Sequence, residues 1–402
     1  MDATLTQIIL AVSVAGCCLA GLIYWSKRDL FLSGAVATFS ALLVGVIAFT
    51  WPKLPPESAQ AQRPTRDRVG ASDPEPNGSG ATLPVSLKTF EPFRPAEVPT
   101  DGYVGSDACR ECHESNHESW HASYHRTMTQ VATPDAVIGN FNDVRVTTKG
   151  RDYVLSRKGE LCVVEMNDPD LPVTPATRMT VPIVMTTGSH HMQVYWYPIR
   201  SPRTLGRVPI AYLKETKQWV PHSAIFLEPP DTEVNTEFGR WNSVCTKCHS
   251  THSRERKRPM GTWDTQVSEF GISCEACHGP GQEHIAVHRE SRDGNPKDPI
   301  VNPADLDHRA SSQICGQCHA GTTNRESLTH VNERGHGFRP GGDLHETHHV
   351  WKRDSKVVQD FLKRMNFKEG DDQALRRVFW DDGNVRVSGR EFAGMARSPC
   401  YE

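Results

Sequence analysis

The chain runs to 402 residues, with 45 Lys plus Arg against 48 Asp plus Glu, 19 His and 12 Cys. A formal net charge of −3 excludes a nucleic-acid binder held by bulk positive charge, and no nucleic-acid partner is expected. Only 37% of the residues are hydrophobic, and many of these crowd the first fifty positions, so the remainder needs another source of buried apolar surface.

In chain order, Leu5–Trp25 and Leu30–Trp51 are uncharged runs of 21 and 22 residues. Each is long enough to cross a hydrocarbon layer of roughly 30 Å as a helix. Ser26-Lys27-Arg28-Asp29 leaves room only for a tight turn, and its two basic residues predict a cytoplasmic turn. Residues 1–51 are therefore expected to form a two-helix transmembrane hairpin. It would anchor the chain in the inner (cytoplasmic) membrane, with everything beyond Trp51 facing the periplasm. A cleaved signal peptide would want basic residues within Met1–Gln7, and there are none. Val14-Ala-Gly-Cys17 has the look of a lipoprotein box, but the apolar stretch continues straight after it. No histidine precedes His113, so the hairpin offers no bis-histidine haem site and reads as an anchor. Residues 52–102, rich in Pro, Ser and Gly, read as a disordered tether.

Four copies of Cys-x-x-Cys-His follow: Cys109-Arg-Glu-Cys112-His113, Cys245-Thr-Lys-Cys248-His249, Cys274-Glu-Ala-Cys277-His278 and Cys315-Gly-Gln-Cys318-His319. This is the pattern of c-type haem attachment, in which two thiols add to the vinyl groups and the adjacent imidazole becomes the proximal iron ligand. A zinc ribbon uses paired Cys-x-x-Cys units but needs no His after every second Cys, and disulfides leave the four histidines unexplained. The sequence thus predicts four covalently attached c-type haems. They are held by Cys109, Cys112, Cys245, Cys248, Cys274, Cys277, Cys315 and Cys318, with His113, His249, His278 and His319 on the irons. Four porphyrins also supply the apolar surface that the side chains lack.

Fifteen histidines remain once these four are set aside, so bis-histidine ligation is the economical reading. His113, His117, His121 and His125 are spaced by four and would share one side of a helix. His125, at the far end of such a helix, would serve a neighbouring iron. His284 follows His278-Gly-Pro-Gly281 too closely to reach round its own haem, so it would cap an adjacent one. On an extended chain only one of His190 and His191 can be a ligand. His308 and His336 are further candidates, whereas His345, His348 and His349 lie near no motif and read as surface.

Between the first and second motifs lie 136 positions, against 29 and 41 for the later intervals. Asp143–Thr148, Asp152–Ser156 and Leu161–Met166 predict strands, with a turn at Lys158-Gly159, an inward-facing Cys162, and further strand-like pieces from Met192 to Ile225. Asp354–Phe367 predicts a helix, and Phe379–Phe392 short strands or turns. The fold expected is α+β with much irregular structure. A haem-dominated multihaem cytochrome c core over residues 103–402 would carry a small β insert at about 141–230, preceded by the hairpin. Arg254, Arg256, Lys257 and Arg258 read as a solvated loop, or as a docking patch for an acidic redox partner.

From about Tyr103 onward the chain resembles the periplasmic multihaem c-type cytochromes, and in particular the tetrahaem family related to the electron carrier of ammonia oxidisers. The stretches that carry the resemblance are Tyr103-Val-Gly-Ser-Asp-Ala-Cys109-Arg-Glu-Cys112-His113, Ser123-Tyr-His125-Arg-Thr-Met, Thr187-Gly-Ser-His-His191-Met-Gln-Val-Tyr-Trp196, Cys274-Glu-Ala-Cys277-His278-Gly-Pro-Gly281 and Leu306-Asp-His308-Arg. It implies mostly bis-histidine haems packed closely enough for electron hopping, and supports His125, His191, His284, His308 and His336 as distal ligands. Longer relatives run on into further motifs after a segment like Gly389–Cys400. Here Cys400 has no motif partner, which reads as a truncated member. The expected function is a membrane-anchored tetrahaem cytochrome passing single electrons between periplasmic redox proteins, more an electron-transfer protein than an enzyme. The rival is a multihaem oxidoreductase acting on a small nitrogen or sulfur compound at one open-site haem. It is disfavoured because no motif replaces its proximal His with Lys.

Overall fold

The computed structural model describes residues 86–401, apart from 200–201, 228–238, 291–297, 365–367, 369–371 and 387–388. The β part begins earlier and is larger than the sequence pattern suggests. Its strands are β1 (Thr129–Val131), β2 (Val144–Thr148), β3 (Arg151–Lys158), β4 (Leu161–Asn167), β5 (Arg178–Pro182), β6 (Met185–Thr187), β7 (Met192–Pro198), β8 (Leu205–Leu213) and β9 (Gln218–Pro221). They form two antiparallel sheets, one of order β2-β3-β4-β5 and one of order β9-β8-β7-β6-β1.

Local chemistry sets the first hairpin. Lys149 and Gly150 both take positive φ, 49° and 69°, as a two-residue type I′ turn requires, and this matches the twist of β2 and β3. Side chains two apart then face inward from both sheets. Tyr153 and Leu155, Cys162, Val164 and Met166, Tyr195 and Tyr197, and Val208, Ile210 and Tyr212 join Phe141 in one core. The opposite face of the five-stranded sheet is buried too, where Val194, Trp196, Leu205 and Ala211 pack on Trp241 and Val267. With both faces covered, β8 is buried along nearly its whole length, and this sheet seats the motif-bearing segment.

That segment is a string of short helices. They include α1 (Ser106–Arg110), α2 (Glu114–His121), α3 (Thr246–His249), α4 (Cys274–His278), α5 (Gln282–Glu290) and α6 (His308–His319), the last capped by the Asp307 carboxylate on the Arg309 and Ala310 amides. A later helix spans Lys356–Arg364, within the stretch expected to be helical. Helix α2 stops at His121, so the expected four-histidine face is cut short, and His125 instead caps a 3₁₀ turn at Arg126–Met128.

The expected fold class needs correction. No helix among the described residues is long and apolar enough to cross a membrane, and the segments 5–25 and 30–51 lie outside the described residues. The described architecture is α+β without a transmembrane hairpin. The inner-membrane placement rested on that hairpin alone and is withdrawn with it. The tether at 52–102 falls mostly outside the described residues as well, although Leu87–Phe93 is a 3₁₀ helix capped by Ser86.

Candidate haem sites

Each motif closes a single helical turn. The His113 amide donates to the Cys109 carbonyl at 2.9 Å and the His249 amide to the Cys245 carbonyl at 3.0 Å. The third and fourth motifs lie within α4 and at the end of α6. In such a turn the two cysteines, three apart, share one face and the histidine ends the turn beside them.

The fold brings the motifs together in a definite order. Helix α1 packs against α4 and α3 against α6, and the Gln317 side-chain amide of the fourth motif donates to the Ala276 carbonyl of the third at 2.9 Å. The Cys277 and Cys315 sulfurs lie close enough for charge on one to act on the other. The first motif therefore adjoins the third, the third the fourth, and the fourth the second.

Two carboxylates, one of them buried, make the first of these contacts. Glu275, inside the third motif and 1% exposed, accepts from the Val104 amide at 3.0 Å, the Gly105 amide at 2.8 Å and the Gly281 amide at 2.8 Å. Glu269 accepts from the Ser106 amide at 2.8 Å and from its hydroxyl. Gly105 enters α1 at φ 84°, a backbone conformation suited to glycine. The Trp120 indole adds a bond to the Ile272 carbonyl at 2.7 Å.

The imidazoles are arranged in facing pairs. With metal–nitrogen bonds of about 2 Å, two imidazoles on opposite faces of one iron hold their ring centres roughly 6 Å apart. His113 and His284 are 6.1 Å apart at an interplanar angle of 24°, and His125 and His319 are 6.5 Å apart at 85°. A third pair, His336 and His348, is 5.9 Å apart at 28° and contains no motif histidine. Lys247 of the second motif lies close enough to lower the proton affinity of both His336 and His348.

Several of these rings have Nδ1 engaged by a protein acceptor, which fixes the tautomer and leaves Nε2 to face a metal. His278 Nδ1 donates to the Val301 carbonyl at 2.8 Å. His284 Nδ1 pairs with Asp298 Oδ1 at 2.7 Å, and His336 Nδ1 with Asn324 Oδ1 at 3.0 Å. His348 Nδ1 pairs with the Thr347 hydroxyl at 2.8 Å, while His319 Nδ1 lies 3.6 Å from Glu391. Burial holds several of the rings neutral, the state in which imidazole binds a metal. It lowers His249 to about 4 and His348 to about 3, and it depresses His336 and His125.

These observations fit a haem-bearing chain. Among the described residues His348 Nε2 is buried with no hydrogen-bond partner, so the packing leaves a ligand atom that a bound group would satisfy. Paired thiols suit thioether links to the vinyl groups of haem, and neutral imidazoles suit its iron.

Two candidate distal ligands stand apart. His191 is exposed, stacks on His190 at 3.7 Å and pairs through Nδ1 with Glu215 at 3.1 Å. His308 has its Nε2 against the Tyr401 carbonyl at 3.1 Å. Conversely, His348, expected at the surface, is fully buried. It sits in the strand His348–Val350, which pairs with Thr322–Asn324 in a register that sets Asn324 opposite His348. Nothing in the local sequence marks it, nor Asp298, Val301 or Glu275, because their roles depend on contacts with distant segments. The basic run is tied down rather than loose: Arg203, Arg256 and Arg258 converge on Asp264 at 2.9, 3.1 and 2.6 Å, and Arg254 reaches Gln266 at 2.9 Å.

The motif turns and facing imidazoles are what covalently attached haem iron requires, and they point to the c-type cytochromes. Residues 214–279, which carry the second and third motifs, match the family described as cytochrome c554 and c-prime. Among solved structures the chain is similar to the one described as the crystal structure of outer cell wall cytochrome OcwA, with 20% identity over 71% of this chain and 48% of that one and a TM-score of 0.42. This chain thus spans about half of that protein's length. No curated protein matches the sequence.

Proposed function

We propose that the chain is a tetrahaem c-type cytochrome that passes single electrons between redox partner proteins. The observation that carries this reading is the chain of contacts linking all four motifs, α1 on α4, Gln317 of the fourth motif on Ala276 of the third, and α6 on α3. Bound haem supplies a one-electron iron couple at each motif. The chain's own residues set where those couples sit and in what order they neighbour one another. His113 faces His284 and His319 faces His125, so two irons are read as bis-histidine, with each pair drawn from separate parts of the sequence. The third pair is read as serving the second motif, with one of His336 and His348 reaching the iron beside Lys247. The proximal imidazole of the third motif, His278, is held by the Val301 carbonyl.

Electron transfer needs rigidity, because a carrier should not reorganise when the charge on its iron changes. The backbone clamp at Glu275 and the Nδ1 anchors provide it. Charge at the arginine knot around Asp264, with exposed Arg258 and Lys257 beside it, suits contact with an acidic partner protein. The test is a carbon-monoxide difference spectrum of the reduced holoprotein combined with a haem count. Four haems are expected, with no carbon-monoxide shift from the three irons assigned two imidazoles. A shift in one haem together with turnover of nitrite or hydroxylamine would replace the carrier with the enzyme.

A further inference from the structure

The segment Asp298–Val301 supplies partners to two imidazoles that belong to different motifs. At one end, Asp298 Oδ1 lies 2.7 Å from His284 Nδ1, and the centre of that ring lies 6.1 Å from that of His113. Three residues on, the Val301 carbonyl accepts from His278 Nδ1 at 2.8 Å, and the Val301 amide donates back to the His278 carbonyl at 3.1 Å. The strap is folded on itself by the Ile300 amide, which donates to the same Asp298 Oδ1 at 3.1 Å. The remaining oxygen, Oδ2, lies 3.2 Å from His288 Nε2, and His288 sits one helical turn after His284 on α5 with ring centres 4.6 Å apart.

We propose that Asp298 is a positioning residue for the iron of the first motif, acting through His284, and that the same strap positions the third motif's imidazole through the Val301 carbonyl. This rests on the reading of His284 as a distal iron ligand. The two ends differ in charge. A carboxylate accepting the N–H of a ligating imidazole makes the ring more basic and favours Fe(III), whereas a backbone carbonyl does so less strongly. One strap thus sets two adjacent haems at different potentials, the first motif's lower. The first and third motifs also adjoin, through the packing of α1 on α4 and the Glu275 bonds to Val104 and Gly105, so the difference falls between neighbouring haem sites.

His284, His288 and Asp298 could alternatively hold a divalent cation, since one ligand atom from each lies within 4.8 Å of the others. The pairing within the cluster favours the positioning role. Oδ1 already serves His284 and Ile300, Oδ2 serves His288, and the His284 ring lies at the spacing from a motif histidine that two ligands of one iron would have.

The experiment is a spectroelectrochemical titration of the holoprotein and two variants. Asp298→Asn keeps an oxygen for the Ile300 amide but removes the charge, so one of the four midpoint potentials should rise while three stay in place. Asp298→Ala also releases the strap, so two should move. The proposal is overturned if Asp298→Asn moves none of them, or if Zn²⁺ binds the holoprotein stoichiometrically and this binding is lost in Asp298→Asn. His284→Ala separates this from failure of the underlying reading. If it turns one haem high-spin, His284 is a ligand and the strap is on trial alone. If all haems stay six-coordinate, the ligand reading itself has failed.

Discussion

Replacing Glu275 should unfasten the first motif from the third. Its carboxylate is buried and accepts three backbone N–H groups, from Val104 (3.0 Å), Gly105 (2.8 Å) and Gly281 (2.8 Å). Net contributions of hydrogen bonds to a charged group run at about 1.5–3 kcal/mol each, and bonds sharing one acceptor do not add fully. Glu275→Ala should therefore cost the holoprotein about 3–5 kcal/mol, a fall in Tm of the order of 10 °C. Glu275→Gln offers a sharper comparison. With its oxygen in the place of Oε1 it keeps the Val104 and Gly281 bonds but turns an N–H₂ toward the Gly105 amide. Roughly half of the loss is then expected. Denaturant titration of both variants, with Soret absorbance following the haem environment, measures the series. A loss below about 1 kcal/mol for Glu275→Ala would refute the reasoning, because it would mean that the three amides find other partners at no cost.

Other expectations follow from the same geometry. His284→Ala and His125→Ala should each convert one haem from low-spin to high-spin and make it bind carbon monoxide, with the remaining haems unchanged. Of His336→Ala and His348→Ala, only one should have that effect, while the other shifts stability alone; the near-infrared ligand-field bands distinguish them. Burial acts to raise the Asp264 carboxyl, but bonds from Arg258 and Arg256 outweigh it and hold it below the usual value of 3.8. Its stabilising contribution is complete above that value and should vanish as pH falls through the lower folded one, so the acid limb of stability should flatten in Asp264→Asn. Replacing both Cys245 and Cys248 by Ala should remove one haem from the pyridine haemochrome count.

Much of this arrangement can be read from the residues, for identifiable reasons. The attachment motifs are local covalent chemistry, and a Cys-x-x-Cys-His turn means the same wherever it lies. The hairpin strands Val144–Thr148 and Arg151–Lys158 show themselves because their faces differ in exposure. Leu205–Leu213 lacks that alternation, because it is buried against Tyr195 on one side and Trp241 on the other, so only its place among strand-like pieces marks it, whereas the short strand Thr129–Val131 has no signal of its own. The spacing of His113, His117, His121 and His125 suggested one long helix, yet the chain turns at Ala122 and takes His125 toward His319. His348 shows the limit most clearly. Among polar neighbours it reads as surface, and only pairing with the distant strand Thr322–Asn324 buries it beside His336. Distal ligands are defined by what lies across the iron, and no local pattern encodes that.

Intact-protein mass spectrometry of material matured with haem most directly tests the central claim that four porphyrins are stitched to this chain. The account predicts a single species heavier than the polypeptide by four haem masses, with all eight motif cysteines inert to an alkylating reagent. A mass equal to that of the bare chain, or eight motif thiols that alkylate freely, would contradict it.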